Sequence, residues 1–242
     1  MPMEIATYAA DGLTMQSEVY TDRGEGRRPG VLVFPEAFGL SENARDRARK
    51  LAGLGYVALA SDLHGDGQLL TDLDTALGLL KPMFQDPLKT RARAQGGLDT
   101  LLARPDVDPA RIMAIGYCFG GTMALELSRG GAPIAAAVGF HSGLGTTRPH
   151  DAASIKAKVL VCIGADDPSI TGEQRLAFEQ EMKAGHVDYQ VHVYGGVVHS
   201  FTNPEADGRG NPAFFRYDPA ADARSWAATL ELFGEVGAPP AT

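Results

Sequence analysis

The sequence predicts an α/β fold: a mostly parallel central sheet, helices on both faces, and an antiparallel hairpin at the start. Three observations carry this expectation. Continuous apolar runs of strand length recur along the chain, as strands buried on both faces require. Segments with helical spacing of apolar residues separate them. Asp11-Gly12 joins two short runs near the beginning, a hairpin signal. The 242 residues suit one large domain, so residues 1–242 are read as a single unit without repeat or linker. A TIM barrel fits poorly with the opening hairpin and the number of βα units.

After the hairpin, residues 30–38 form an apolar, β-branched run that reads as a buried strand. Ser41 is placed to cap a helix carrying Ala44, Ala48, Leu51 and Ala52 on one face, ended by Gly53 and Gly55. Residues 56–63 give the next buried strand. The segment from His64 to Asp86 is less regular, with a short helix expected over residues 71–84. A helix with Leu98, Leu101 and Leu102 then ends near Pro105. A strand over residues 111–117 leads directly into a helix from Cys118. Strands follow at residues 133–140 and 156–164. Thr171 and Gln174 have capping-box spacing and open a helix that holds Leu176 and Phe178. A strand over residues 188–194 and a last helix, with Trp226, Leu230 and Phe233 on one stripe, complete the series.

Composition narrows the function. Apolar residues make up 44% and charged residues 21%, ordinary globular values that argue against a disordered chain. A net charge of −8 repels phosphate backbones and disfavours nucleic acid as a partner. No run approaches the apolar length of a membrane span, and the first residues do not read as a signal peptide, so a cytoplasmic protein is expected. Cys118 and Cys162 are the two cysteines, and no CxxC or HExxH pattern occurs, so neither a disulfide framework nor a metal or other cofactor is expected. Arg45, Arg47, Arg49 and Lys50 are read as the solvated face of their helix.

The chemistry is concentrated at Gly116-Tyr117-Cys118-Phe119-Gly120, which has the G-x-C-x-G form and sits between a strand and a helix. This is the nucleophile-elbow pattern with sulfur in place of the usual oxygen. The helix N-terminus that follows favours a thiolate and an oxyanion. Cys162, inside a buried strand, reads as a small apolar residue. A cysteine nucleophile requires a base and an orienting acid, in the chain order nucleophile, acid, histidine. Asp166 and Asp167 follow the strand at 156–164, and Asp167 is preferred for its spacing from Gly164. His199 follows a glycine turn at the end of the last strand, where ligand sites form in open sheets. His192 lies within its strand and His186 at a helix end, so both read as structural.

Four segments together resemble the dienelactone hydrolase family: GYCFGG at 116–121, GADDPSI at 164–170, GGVVHSF at 195–201 and VFPEAFGL at 33–40. The resemblance spans nearly the whole chain. It implies a single-domain α/β-hydrolase fold with Cys118 as nucleophile, His199 as base and Asp167 as its orienter. It also implies that Glu36 contacts the resting cysteine and helps to activate it. The backbone N–H groups of Phe119 and Ala37 are the expected oxyanion donors. The expected substrate is a small ester or lactone, cleaved through a thioester intermediate.

Family members that act on dienelactone hold its carboxylate with arginines, one a few residues after the triad histidine and one after the fourth strand. Here Asn203 stands near the first place, and residues 64–86 contain no arginine and only Lys81 as a basic residue. Anionic dienelactone is therefore disfavoured as main substrate. Phe38, Phe84, Phe119 and Phe201 are candidates for an apolar pocket, with His64, Tyr117, His141 and Ser200 at neighbouring loop ends. Such a pocket suits aryl esters and also neutral aryl phosphotriesters. A non-enzymatic binding protein of the same fold and an acyl transferase are the other classes weighed. The first has no use for an aligned Cys, Asp and His, and the second requires an acceptor site that the sequence does not reveal.

Overall fold

A computed structural model describes residues 2–22, 24 and 26–237. The strands are β1 (Met3–Ala10), β2 (Leu13–Tyr20), β3 (Arg28–Phe34), β4 (Val57–Ala60), β5 (Val107–Tyr117), β6 (Ala136–Phe140), β7 (Lys158–Gly164) and β8 (Tyr189–Tyr194). The helices are α1 (Glu42–Gly53), α2 (Leu73–Gln85), α3 (Pro87–Leu102), α4 (Phe119–Arg129), α5 (Gly172–Ala184) and α6 (Pro219–Glu235). The strands form one sheet in the order β1-β2-β4-β3-β5-β6-β7-β8. β1 and β2 pair antiparallel, β2 pairs antiparallel with β4, and the remaining pairings are parallel. The hairpin turns at Asp11 and Gly12, both with positive φ, as a tight two-residue turn requires. β5 begins earlier than its apolar run suggests, because Val107 and Asp108 pair with Arg28 and Pro29 ahead of a register shift.

Both faces of the inner sheet are covered, which is why β3, β4, β6 and β7 are buried almost throughout, whereas the edge strands β1 and β8 alternate. On β3, Val31 and Val33 pack with Ala44, Ala48 and Leu51 of α1 and Phe233 of α6. Leu32 and Phe34 point the other way, into Leu80 of α2, Leu98 and Leu101 of α3 and Met123 of α4. A third cluster joins Val159, Val161 and Ile163 of β7 to Phe178 and Met182 of α5. Leu176 and Phe178 both lie on α5 as expected, and only Phe178 faces the core, because two residues apart on a helix do not share a face.

The basic stripe of α1 also divides. Arg45 reaches Glu18 at 3.0 Å, and Arg49 and Lys50 pair with Glu42 and Asp46 at the surface. Arg47 is buried: it bonds Asp222 at 2.7 Å and the Thr202 carbonyl at 2.7 Å. Its guanidinium also lies 5.8 Å from the ring centroid of Tyr117 and 5.4 Å from that of Trp226. The reason is helical spacing, since position 47 lies three residues after Ala44 and four before Leu51, on the core stripe.

A second buried cation ties helices together. Arg129 of α4 bonds Glu126 at 2.9 Å, Glu181 of α5 at 2.7 Å and the Leu144 carbonyl at 2.8 Å. Arg91 of α3 completes the group through Glu126 at 2.8 Å. Cys118 and Cys162 are both free thiols. Cys162 is buried in β7, and desolvation pushes its thiol up to about 12. Among the described residues no helix is long and apolar enough to cross a membrane.

Candidate active site

The site forms at the carboxyl ends of the parallel strands. Cys118 stands between β5 and α4 with φ of +53°, a conformation that non-glycine residues rarely adopt. Its N–H donates to the Phe140 carbonyl at 2.9 Å, and its own carbonyl accepts from Gly121 at 3.0 Å. The turn is tight enough to exclude side chains on either side. A Cβ at Gly116 would stand 2.0 Å from the Gly120 carbonyl oxygen, and one at Gly120 would stand 2.4 Å from that of Phe34.

The turn after β7 carries Asp167 inward and leaves Asp166 exposed. His199, in the loop after β8, is 5% exposed. Its Nδ1 lies 2.6 Å from Asp167 Oδ2. The second oxygen, Oδ1, accepts from the Ser169 N–H at 2.9 Å and its hydroxyl at 2.6 Å. The imidazole is also hydrogen-bonded to Cys118. Burial alone would lower the His199 pKa. Electrostatic attraction to Cys118 and the hydrogen bonds with Asp167 and Cys118 overcome it and push it up to about 10. Burial raises the Asp167 carboxyl, and the bonds from His199 and Ser169 hold it below its usual range nonetheless.

Glu36 follows β3 and is buried. Its Oε1 accepts from the Ser200 hydroxyl at 2.5 Å, and Oε2 accepts from Asn203 Nδ2 at 2.6 Å and from Arg209 at 2.5 Å. These contacts take the place of the expected one with Cys118, whose partner is His199. A guanidinium and an amide are stronger donors to a carboxylate than a thiol is. Burial opposes the charged form of Glu36, but Arg209, His141 and the hydrogen bonds bring its pKa down to about 2. A carboxyl at about 2 in the folded chain, against an ordinary 4.5, contributes about 3 kcal/mol of stability. That contribution is full above pH 4.5 and is lost as pH falls through about 2. Urea unfolding of Glu36→Gln between pH 6 and pH 2 is accordingly expected to show a flatter acid limb than wild type by a few kcal/mol.

Cys118 and His199 open into a cavity of about 390 Å³. Ala37 and Phe119 line it beside them. Phe119 is the first residue of α4, where an N–H has no intrahelical acceptor. Ala37 lies in a turn closed by Gly39 N–H to the Glu36 carbonyl at 3.0 Å. Leu73, Leu77 and Phe84 of α2 form one wall, and Phe214 and Phe215 another. The polar side chains of the lining, other than Cys118 and His199, are Thr122, Ser169 and Gln174. No Asp, Glu, Lys or Arg is among the described residues that line it.

The expected pocket residues separate. Phe84 and Phe119 line the cavity and meet edge to face at 4.9 Å. Phe38 lies instead against Arg209, whose guanidinium is 4.9 Å from its ring centroid, and Ser200 is engaged with Glu36. His64 is buried with Nε2 at 2.8 Å from the Ala37 carbonyl, and burial lowers its pKa. Tyr117 stacks on Phe140 in the core at 4.8 Å, and Phe201 is fully buried there. His141 is buried with Nε2 at 2.9 Å from Thr202 Oγ1, and burial and His199 push its pKa down to about 3. Sequence reasoning missed Leu73, Leu77, Phe214, Phe215 and Arg209. The first two had a signal, since positions 73, 77 and 84 share a helix face with each other.

The strand order, the elbow between β5 and α4, and an acid and a histidine after β7 and β8 define an α/β-hydrolase fold. The model of the dienelactone hydrolase family matches residues 15–237, and the chain belongs to that family of hydrolases. A putative carboxymethylenebutenolidase of Salmonella typhimurium is 30% identical over 88% of this chain and 79% of its own. Two solved structures are more similar in sequence. One, described as m3DLH, is 47% identical with a TM-score of 0.92, over 97% of this chain and 98% of that one. The other is a dienelactone hydrolase-like promiscuous phosphotriesterase from metagenomic libraries, 44% identical with a TM-score of 0.92 over the same shares.

Proposed function

We propose that the chain hydrolyses neutral carboxylic esters and lactones through Cys118, His199 and Asp167. The observation that carries this reading is the cavity: the thiol and imidazole open into an apolar space whose lining has no other charged side chain among the described residues. The Cys118 thiolate attacks the acyl carbon, and the N–H groups of Phe119 and Ala37 receive the developing oxyanion. His199, as imidazolium, protonates the departing alkoxide or enolate oxygen. It then takes a proton from water, which attacks the thioester and releases the acid and the thiol. Asp167 holds the imidazole in the tautomer and orientation that these transfers need.

A substrate carboxylate would enter this cavity with no lysine or arginine to meet it and beside the reacting thiolate, at a cost of several kcal/mol. The test compares a neutral aryl ester with the same ester bearing a carboxylate on its acyl chain. The charged analogue is expected to have a kcat/KM at least ~100-fold lower. Equal values would overturn the assignment to neutral substrates.

A second reading is hydrolysis of neutral aryl phosphotriesters in the same cavity, favoured by the 44% identity to a promiscuous phosphotriesterase. Thiolate attack at phosphorus would expel the aryl oxide and leave a phosphoryl-cysteine, which water must clear. Continuous aryl oxide release supports this reading. Release of one equivalent followed by inactivation counts against it.

A further inference from the structure

His199 is enclosed by aromatic rings as well as held by Asp167. The His141 ring lies 5.0 Å away at 64°, Phe214 5.5 Å away at 55°, and Phe215 6.0 Å away at 73°. Phe214 and Phe215 brace each other at 4.5 Å. Their segment is tied to the histidine by main chain too: Phe215 forms a parallel bridge with His199, and Arg216 N–H donates to the His199 carbonyl at 3.2 Å. The Arg209 guanidinium lies 5.2 Å from the Phe215 ring centroid and 4.9 Å from that of Phe38. Arg209 in turn bonds Glu36 and, at 2.8 Å, the Ser200 hydroxyl.

Partners at Nδ1 alone, Asp167 Oδ2 at 2.6 Å and Ser169 Oγ at 3.2 Å, leave an imidazole free to tilt about that edge. Rings packed against it remove this freedom. We propose that Phe215 is a positioning residue for His199, pinned by Arg209 and Glu36, so that a part-buried ion pair that does not touch the imidazole sets its aim at Cys118. The inference rests on His199 being the base. It assigns Glu36 a different task from meeting the thiol. It also accounts for Arg209 resting on two aromatic faces, a contact that orients a guanidinium and a ring together.

The test uses the full chain with Phe215→Leu, Phe215→Tyr and Arg209→Lys. Phe215 is half-buried, which favours folded variants. Two quantities are read: kcat and KM on a neutral aryl ester, and the His199 titration by nitrogen-15 spectra of the ring. The groups facing His199 are Cys118 between β5 and α4, Asp167 after β7, His141 after β6, and, through Phe215 and Ser200, Arg209 and Glu36. Phe215→Leu is expected to lower kcat at least ~10-fold with KM within ~3-fold. Phe215→Tyr, which keeps the ring, should stay within ~2-fold of wild type, and Arg209→Lys should fall between. The His199 midpoint, about 10 in wild type, should fall in Phe215→Leu and stay in Phe215→Tyr. A raised KM with unchanged kcat would make Phe215 only a cavity wall, and an unmoved midpoint would show that it does not position the imidazole; either result overturns the proposal. A wild-type chain that cleaves no aryl ester would refute the hydrolase reading, and the ring spectra would still decide whether Phe215 positions His199.

Discussion

Cys118→Ala is expected to lower kcat/KM on a neutral aryl ester by roughly 10⁴-fold or more while leaving the fold intact. The size follows from how the groups work together. Without sulfur, His199 has no nucleophile to serve, and only binding and the oxyanion donors remain. The fold should survive because the elbow is held by its main chain, through Phe140 and Gly121, and not by the thiol. Circular dichroism and urea midpoints establish the second point, and steady-state rates the first. Equal rates for the variant and wild type would refute the covalent mechanism. Cys162→Ala is the matched control: its sulfur is buried and its thiol is held protonated near neutrality, so its loss should leave the rate essentially unchanged.

The largest expected loss of stability lies away from the site, at Arg129. Its side chain is fully buried and bonds Glu126, Glu181 and the Leu144 carbonyl. Arg129→Met keeps much of the volume and removes the charge, stranding Glu181 and leaving Glu126 with Arg91 alone. Removing one partner from a buried ionic group costs about 3–5 kcal/mol. Arg148→Met offers the contrast, because Arg148 meets Asp151 at the surface and such pairs are worth about 0–1 kcal/mol. Urea unfolding of the two variants measures both. Similar small losses would mean that the buried group adds nothing beyond packing.

Much of this molecule can be read from its chain because local rules and tertiary demands coincide there. Asp11-Gly12 turns where the two-residue hairpin needs positive φ. The glycines around Cys118 mark close approaches that no other residue permits. Asp167 follows a strand whose apolar run is unmistakable, and His199 follows an alternating edge strand closed by two glycines. What escaped depends on distant partners. Arg47 reads as solvated until Asp222 is found 175 positions away, and Arg209 draws no notice until Glu36 is found 173 positions away. Phe214 and Phe215 lie outside helix and strand, where no periodicity reveals which way a ring faces. Phe201 and Tyr117 show the reverse error, since an aromatic next to a motif packs into the core as readily as it lines a cavity.

The elbow has a consequence for how such a protein can change. Position 118 is specified by a carbonyl on β6, two glycines that admit no side chain, and the start of a helix. None of these recognises sulfur. The scaffold thus reserves an address and leaves the reagent at that address open. Exchanging thiol for hydroxyl there would alter reactivity without asking any core residue to repack, so chemistry and architecture can vary independently along this chain.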